Sequence, residues 1–276
     1  MRSGSLIAAF GAAPSLGLNV FFLLYLLASV YIYVSLIRQI SARTSAAVGD
    51  ARRFGLPEAI LAAALIFFLL LNISASVSRP SVQLDEHNLL ANLLLTVFVV
   101  LLIVTFLLVR GFDLNSLGGI FRISFIRVLG TGIILLFFAY PLIFLSELIT
   151  QRFFGSGSSK QNIVELFSGS RTIEQRMMII VFAVAIAPLA EEFLFRFFLY
   201  GVLKRYFGRF VGITVNALLF AAAHTHFPSF APLFILGGCF TIAYEWSGSI
   251  LVAMTMHSLF NSLTLTALAF PEIFSP

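Results

Sequence analysis

The stretch PLAEEFLFR, Pro188 to Arg196, puts two adjacent glutamates and an arginine inside one of the most apolar runs of the chain. The apolar residues on either side, Met177 to Leu189 and Phe197 to Leu203, make by themselves a membrane-spanning helix. A carboxylate near the bilayer centre costs roughly 2.5–3.5 kcal/mol on insertion scales. Glu191, Glu192 and Arg196 therefore need partners, and the other spans are where those partners must be sought.

The chain has 276 residues, 60% of them hydrophobic and only 11% charged, with a mean hydropathy of +1.03. Soluble domains carry about 25% charged residues, so the composition indicates an all-α polytopic membrane protein. Runs of about 20 apolar residues fall at 17–37, 58–77, 89–109, 128–148, 177–203, 210–227, 231–246 and 249–270, which predicts about eight helices. The N-terminal apolar run is too long for a signal-peptide core and reads as a retained first helix.

Arginines at 38, 43, 52 and 53, at 110, 122 and 127, and Lys204, Arg205 and Arg209 fall in alternate loops. The positive-inside tendency puts those loops in the cytoplasm and both termini outside. The net charge of +5 suits membrane lipids, anionic ones above all, and no basic stripe with interleaved aromatics points to nucleic acid. Cys239 is the only cysteine, which rules out an internal disulfide.

Three parts are expected: scaffold helices over 1–150, a polar connector over 151–176, and late helices over 177–276 that enclose a catalytic cavity. In the connector, Gly155 to Ser159 reads as flexible and Ile163 to Phe167 as a short interfacial helix. Pro141 is expected to kink the fourth span. In the scaffold, Ser29, Ser35, Asn72, Ser74 and Ser76 are the small polar groups that bond between helices.

The late helices hold a different set. Glu192 and Arg196 are one turn apart, as are Phe220 and His224, and His257 and Asn261. Glu191 lies about 100° round the helix from Glu192, which frees the two acids for different work. Such a cluster, in a chain otherwise stripped of charge, points to function. Glutamate and histidine suit activation of a water, with an amide and an imidazole donating to an oxyanion. Glu191, His224 and His257 would equally suit a divalent metal such as zinc, and a proton-coupled transporter would use similar residues.

Glu191-Glu192-x-x-x-Arg196, Phe220-x-x-x-His224 and His257-x-x-x-Asn261, in that order, resemble the CAAX protease and bacteriocin-processing family of intramembrane endopeptidases, which includes the type II CAAX prenyl proteases. Phe234-x-x-Gly237 and Tyr244-Glu245-x-x-Gly248-Ser249 extend the likeness. It covers roughly residues 177–265. The resemblance implies that Glu191 and His224 activate the attacking water, that Glu192 and Arg196 support them, and that His257 and Asn261 stabilise the oxyanion. Phe220 is expected to touch substrate. A lipidated or membrane-embedded peptide, of the prenylated CaaX type in some members, is the implied substrate; other relatives serve bacteriocin immunity or act as assembly partners. Phe197 departs from the glycine that many members have after the arginine. The short loops suggest a bacterial cytoplasmic membrane.

Overall fold

Long apolar runs leave the backbone no water to bond, so they must form helices, whose polar groups are satisfied internally. A computed structural model describes residues 16–43, 54–78, 86–154, 162–170 and 172–270, and within them every regular element is helical. The order is α1 (Leu16–Ala42), α2 (Leu56–Ser78), α3 (Glu86–Val109), the short α4 (Leu114–Gly118), α5 (Phe125–Phe154), α6 (Asn162–Gly169) and α7 (Ile173–Val181). Next come a π-helical turn (Phe182–Ile186), α8 (Ala187–Glu192) and a second π-helical turn (Phe193–Leu199). The chain ends in α9 (Tyr200–Ala223), a 3₁₀ turn (Phe227–Ser229), α10 (Phe230–Ser247) and α11 (Ile250–Ala269).

Among the described residues seven helical stretches are long and apolar enough to cross a membrane, against the eight read from the sequence. The difference lies in Ile173–Ala223, a 51-residue run that counts as one stretch and holds both the fifth and the sixth expected spans. Gly208, at φ 81° and ψ 171°, breaks the helix there. That backbone conformation is open to glycine because it lacks a Cβ. Pro141 lies inside α5, which continues past it to Phe154. The Gly155 to Ser159 stretch lies outside the described residues, and the short helix expected over Ile163 to Phe167 is α6. Its Phe167 is buried with Ile179, Ala183 and Leu265, so α6 packs on α7, the first π turn and α11.

The predicted basic loops meet at one end of the bundle. Arg43 donates to the Trp246 carbonyl at 2.6 Å, and Arg209 to the Ile40 carbonyl at 2.9 Å. Lys204 and Arg209 both pair with Glu245, at 2.7 and 3.1 Å. At the same end Gly119 (φ +61°) lies against the Gly248 backbone, where a Cβ would collide with the Gly248 carbonyl. These contacts tie the end of α1, the bend of α9 at Gly208 and the loop after α4 to the end of α10 and the α10–α11 turn.

Three of the small polar groups of the scaffold, Ser29, Ser35 and Asn72, bond within their own helices instead of between helices. Ser29 bonds the Tyr25 carbonyl, Asn72 bonds the Phe68 carbonyl, and Ser35 accepts from Gln39, each within its own helix. A side chain in lipid finds the carbonyl four residues back with no partner helix required. Cross-helix bonds that do form include Tyr33 to the Leu135 carbonyl and Asn216 to Thr241.

Candidate active site

Pro188 has no N–H, and its ring would press on the carbonyl four residues earlier, that of Val184, in a regular helix. The chain widens into the π turn just before it, where Ala187 N–H reaches the Phe182 carbonyl, five residues back. The second π turn begins directly after Glu192, and there Tyr200 N–H bonds the Phe195 carbonyl. The six residues of α8 that carry both glutamates are thus bracketed by two wide turns, a feature frequent at functional sites.

Glu192 and Arg196 are completely buried and joined at 2.8 Å. The guanidinium also donates to the Gly237 carbonyl at 3.3 Å. It lies 4.2 Å from the Phe220 ring centre, 5.2 Å from Phe240 and 5.9 Å from Phe195. This aromatic box solvates the cation in place of water. Phe220 rests on Gly237, where a Cβ would come within 2.9 Å of its ring.

The same carboxylate oxygen of Glu192 that binds Arg196 takes His257 Nδ1 at 2.8 Å. His257, with 4% of its side chain exposed, stacks on Phe240. Its other nitrogen, Nε2, lies 3.9 Å from Glu191 Oε2. His224 mirrors it: Nδ1 lies 2.8 Å from the Phe220 carbonyl, and Nε2 is 3.9 Å from the same Glu191 oxygen. Among the described residues, Glu191 Oε2 has no hydrogen-bond partner. Glu191 and His224 are the more open members, with 27% and 25% of their side chains exposed.

A carbonyl only accepts, so His224 has a proton on Nδ1; the Glu192 oxygen, already accepting from Arg196, accepts from His257 Nδ1 in the same way. In the neutral form of each ring, Nε2 presents a lone pair toward Glu191.

The structure brings Glu191, Glu192, Arg196, His224 and His257 together, drawn from α8, the second π turn, the end of α9 and α11. Asn261 joins them through α11: its Nδ2 donates to the Ala183 carbonyl at 2.7 Å, on the first π turn. Phe220, expected on the substrate side, is instead fully buried between Arg196 and His224, because an aromatic face is what a buried guanidinium requires. His226 stands apart from the Glu191 contacts, with Nδ1 2.7 Å from the Ser229 hydroxyl. Phe240 and Ala183 are the participants that sequence reading missed. Phe240 follows Gly237 by one turn, which is a readable signal; the bond to the Ala183 carbonyl has none.

Glu191, His224 and His257 were also the candidate zinc ligands. Among the described residues no three His, Cys, Asp or Glu side chains are spaced to hold one metal ion. Tetrahedral ligands about 2.0–2.1 Å from zinc lie roughly 3.3 Å from one another, closer than the 3.9 Å found here.

Residues 173–263 match the family model described as type II CAAX prenyl endopeptidase Rce1-like. Over 100 residues, 34% of this chain and 40% of the relative, the sequence is 32% identical to the membrane-embedded CAAX protease MroQ of Staphylococcus aureus (strain USA300). Over 98 residues, 34% of this chain and 48% of the relative, it is 31% identical to the uncharacterized protein YpbD of Bacillus subtilis (strain 168). The matched stretch thus spans less than half the length of either relative. No solved structure matches. Over residues 173–263 the chain is thus similar to the Rce1-like type II CAAX prenyl endopeptidases, the same likeness that the three motifs carry.

Proposed function

We propose that this integral membrane protein is an intramembrane endopeptidase that hydrolyses a peptide bond with a glutamate-activated water. The observation that carries the reading is the Glu191 carboxylate, whose one oxygen lies 3.9 Å from the Nε2 atoms of two histidines in a helix otherwise made for lipid. The match over residues 173–263 and the name of the staphylococcal relative support it.

Glu191 acts as general base. His224, its Nε2 lone pair facing the same space, accepts the water's other proton as a hydrogen bond and aims the oxygen. Low dielectric around the pair strengthens both interactions. Asn261 uses one N–H of its amide on Ala183, and its second N–H is free to meet the oxyanion. Glu192 and Arg196 balance each other's charge at depth and hold the wall behind the histidines. The substrate is a lipidated or membrane-embedded peptide, such as one of the prenylated CaaX type.

A cleavage assay on matched farnesylated and unmodified CaaX-ending peptides, with purified protein in lipid nanodiscs, tests this reading. We expect cleavage of at least one peptide and loss of it in a folded Glu191→Ala variant. Full activity in that variant overturns the mechanism. A wild-type protein inert toward both peptides while Glu191→Gln retains the cellular effect favours an immunity or assembly partner. Flux that follows a pH gradient in proteoliposomes favours a transporter.

A further inference from the structure

The two histidines that flank Glu191 are held by unlike partners. His224 leans on a neutral backbone carbonyl, that of Phe220. His257 leans on the carboxylate of Glu192, which is itself anchored by Arg196 and completely buried. A carboxylate at 2.8 Å stabilises an imidazolium far more than a carbonyl does, because the charges attract in a medium that screens them poorly. The resemblance implies an oxyanion-stabilising role for both His257 and Asn261. With one proton, on Nδ1 and committed to Glu192, the ring has a lone pair on Nε2; a second proton taken up there is one that it can hand on.

Building on the protease reading, we infer that His257 is the general acid of the reaction, protonating the leaving nitrogen, and that Glu192 is the positioning residue that makes it one. As the water oxygen bonds to the peptide carbonyl carbon, Glu191 takes one water proton. Glu191 Oε2 passes that proton to His257 Nε2; the 3.9 Å between them shortens when substrate closes the site, as hydrogen bonds in unliganded enzymes commonly do. The imidazolium, paired with Glu192, then gives the proton to the peptide nitrogen as the C–N bond breaks. The products are a carboxyl group bearing the water's oxygen and a free amine, with Glu191 and both histidines back in their starting state. His224 does not enter the relay and serves only the water.

An amide cannot leave without a proton, whereas a thiolate can. The test compares a farnesylated peptide with its analogue that has a thioester at the scissile bond, both presented to wild type and to His257→Gln, Glu192→Gln, His224→Gln and Glu191→Ala in nanodiscs. Wild type and Glu191→Ala report on the protease reading itself. Loss of a general acid typically costs 10²–10⁴-fold. We expect His257→Gln and Glu192→Gln to lose about that factor on the amide and less than about tenfold on the thioester. His224→Gln should lose comparably on both, since both need the water. A Glu192→Gln variant that does not fold leaves His257→Gln, whose neutral amide keeps the size and polarity of the site, to decide. Equal losses of His257→Gln on amide and thioester overturn the assignment while the protease reading stands. A wild type that cleaves neither overturns both.

Discussion

Among the described residues two glutamates, Glu58 and Glu192, are completely buried and paired with arginine, and they differ in what else they hold. Glu58, in the first turn of α2, accepts from Arg110 at 3.0 Å with one oxygen and from Gly55 N–H at 2.7 Å with the other. Every lone pair it needs is answered by a group with no further task, and Arg110 is 35% exposed. Glu192 puts Arg196 and His257 on a single oxygen, and its other oxygen has no partner among the described residues. A buried ion pair alone is therefore no sign of chemistry. The pair that is joined to a histidine facing a second carboxylate is the one with work to do.

The widest separation between the two sites should appear in activity. Glu191→Ala is expected to abolish peptide cleavage, a loss of at least about 10³-fold given what general base catalysis contributes. Glu58→Gln should leave the rate within about twofold, because its bonds end at a helix terminus and an exposed arginine. Initial rates on the same peptide, normalised to folded protein, check both. A large rate loss in Glu58→Gln would erase the distinction.

Stability separates them next. Arg196→Met strands the Glu192 charge among aromatic rings, and breaking a buried pair from one side costs about 3–5 kcal/mol. Removing both charges, Glu192→Gln with Arg196→Met, should recover most of that loss while cleavage of the amide stays low. Arg110→Ala leaves Glu58 its backbone partner at Gly55, so about 1–2 kcal/mol is expected. Thermal midpoints in one detergent rank the three. If Arg110→Ala proves the more damaging single change, the second pair is no better integrated than the first.

Much of the contrast was legible before any coordinates. Four-residue spacing announced the Glu192–Arg196 pair and the coupling of Phe220 with His224, since one helical turn brings such positions together. The scarcity of charge in the late spans made Glu191, His224 and His257 conspicuous. Glu58 was unreadable for the opposite reason: it lies among the arginines of a basic loop and looks solvated, and only the fold brings Arg110 across to it from the end of α3. The π turns were equally hidden. Pro188 signals local trouble, yet nothing in the second turn, Phe193–Leu199, distinguishes it from an ordinary helix. Asn261 was identified as polar at depth, but its bond to Ala183 depends on where the first π turn directs a carbonyl.

The smallest expected effect concerns how His224 is held. Thr225, directly after it, has φ 49°, left-handed backbone that a β-branched residue seldom adopts. It ends α9 so that the chain can turn into the 3₁₀ segment, a place where glycine is the usual choice. The strain costs roughly 1–2 kcal/mol, partly offset in a glycine variant by the greater freedom of its unfolded chain. Thr225→Gly should therefore raise stability by about 0.5–1 kcal/mol, read as a higher thermal midpoint in detergent. Cleavage should change little, since His224 is oriented by the Phe220 carbonyl four residues earlier rather than by the turn that follows. A stabilised variant that has lost most of its activity would place the strained turn within the catalytic apparatus. It would also mean that His224, like His257, is held by more than one partner.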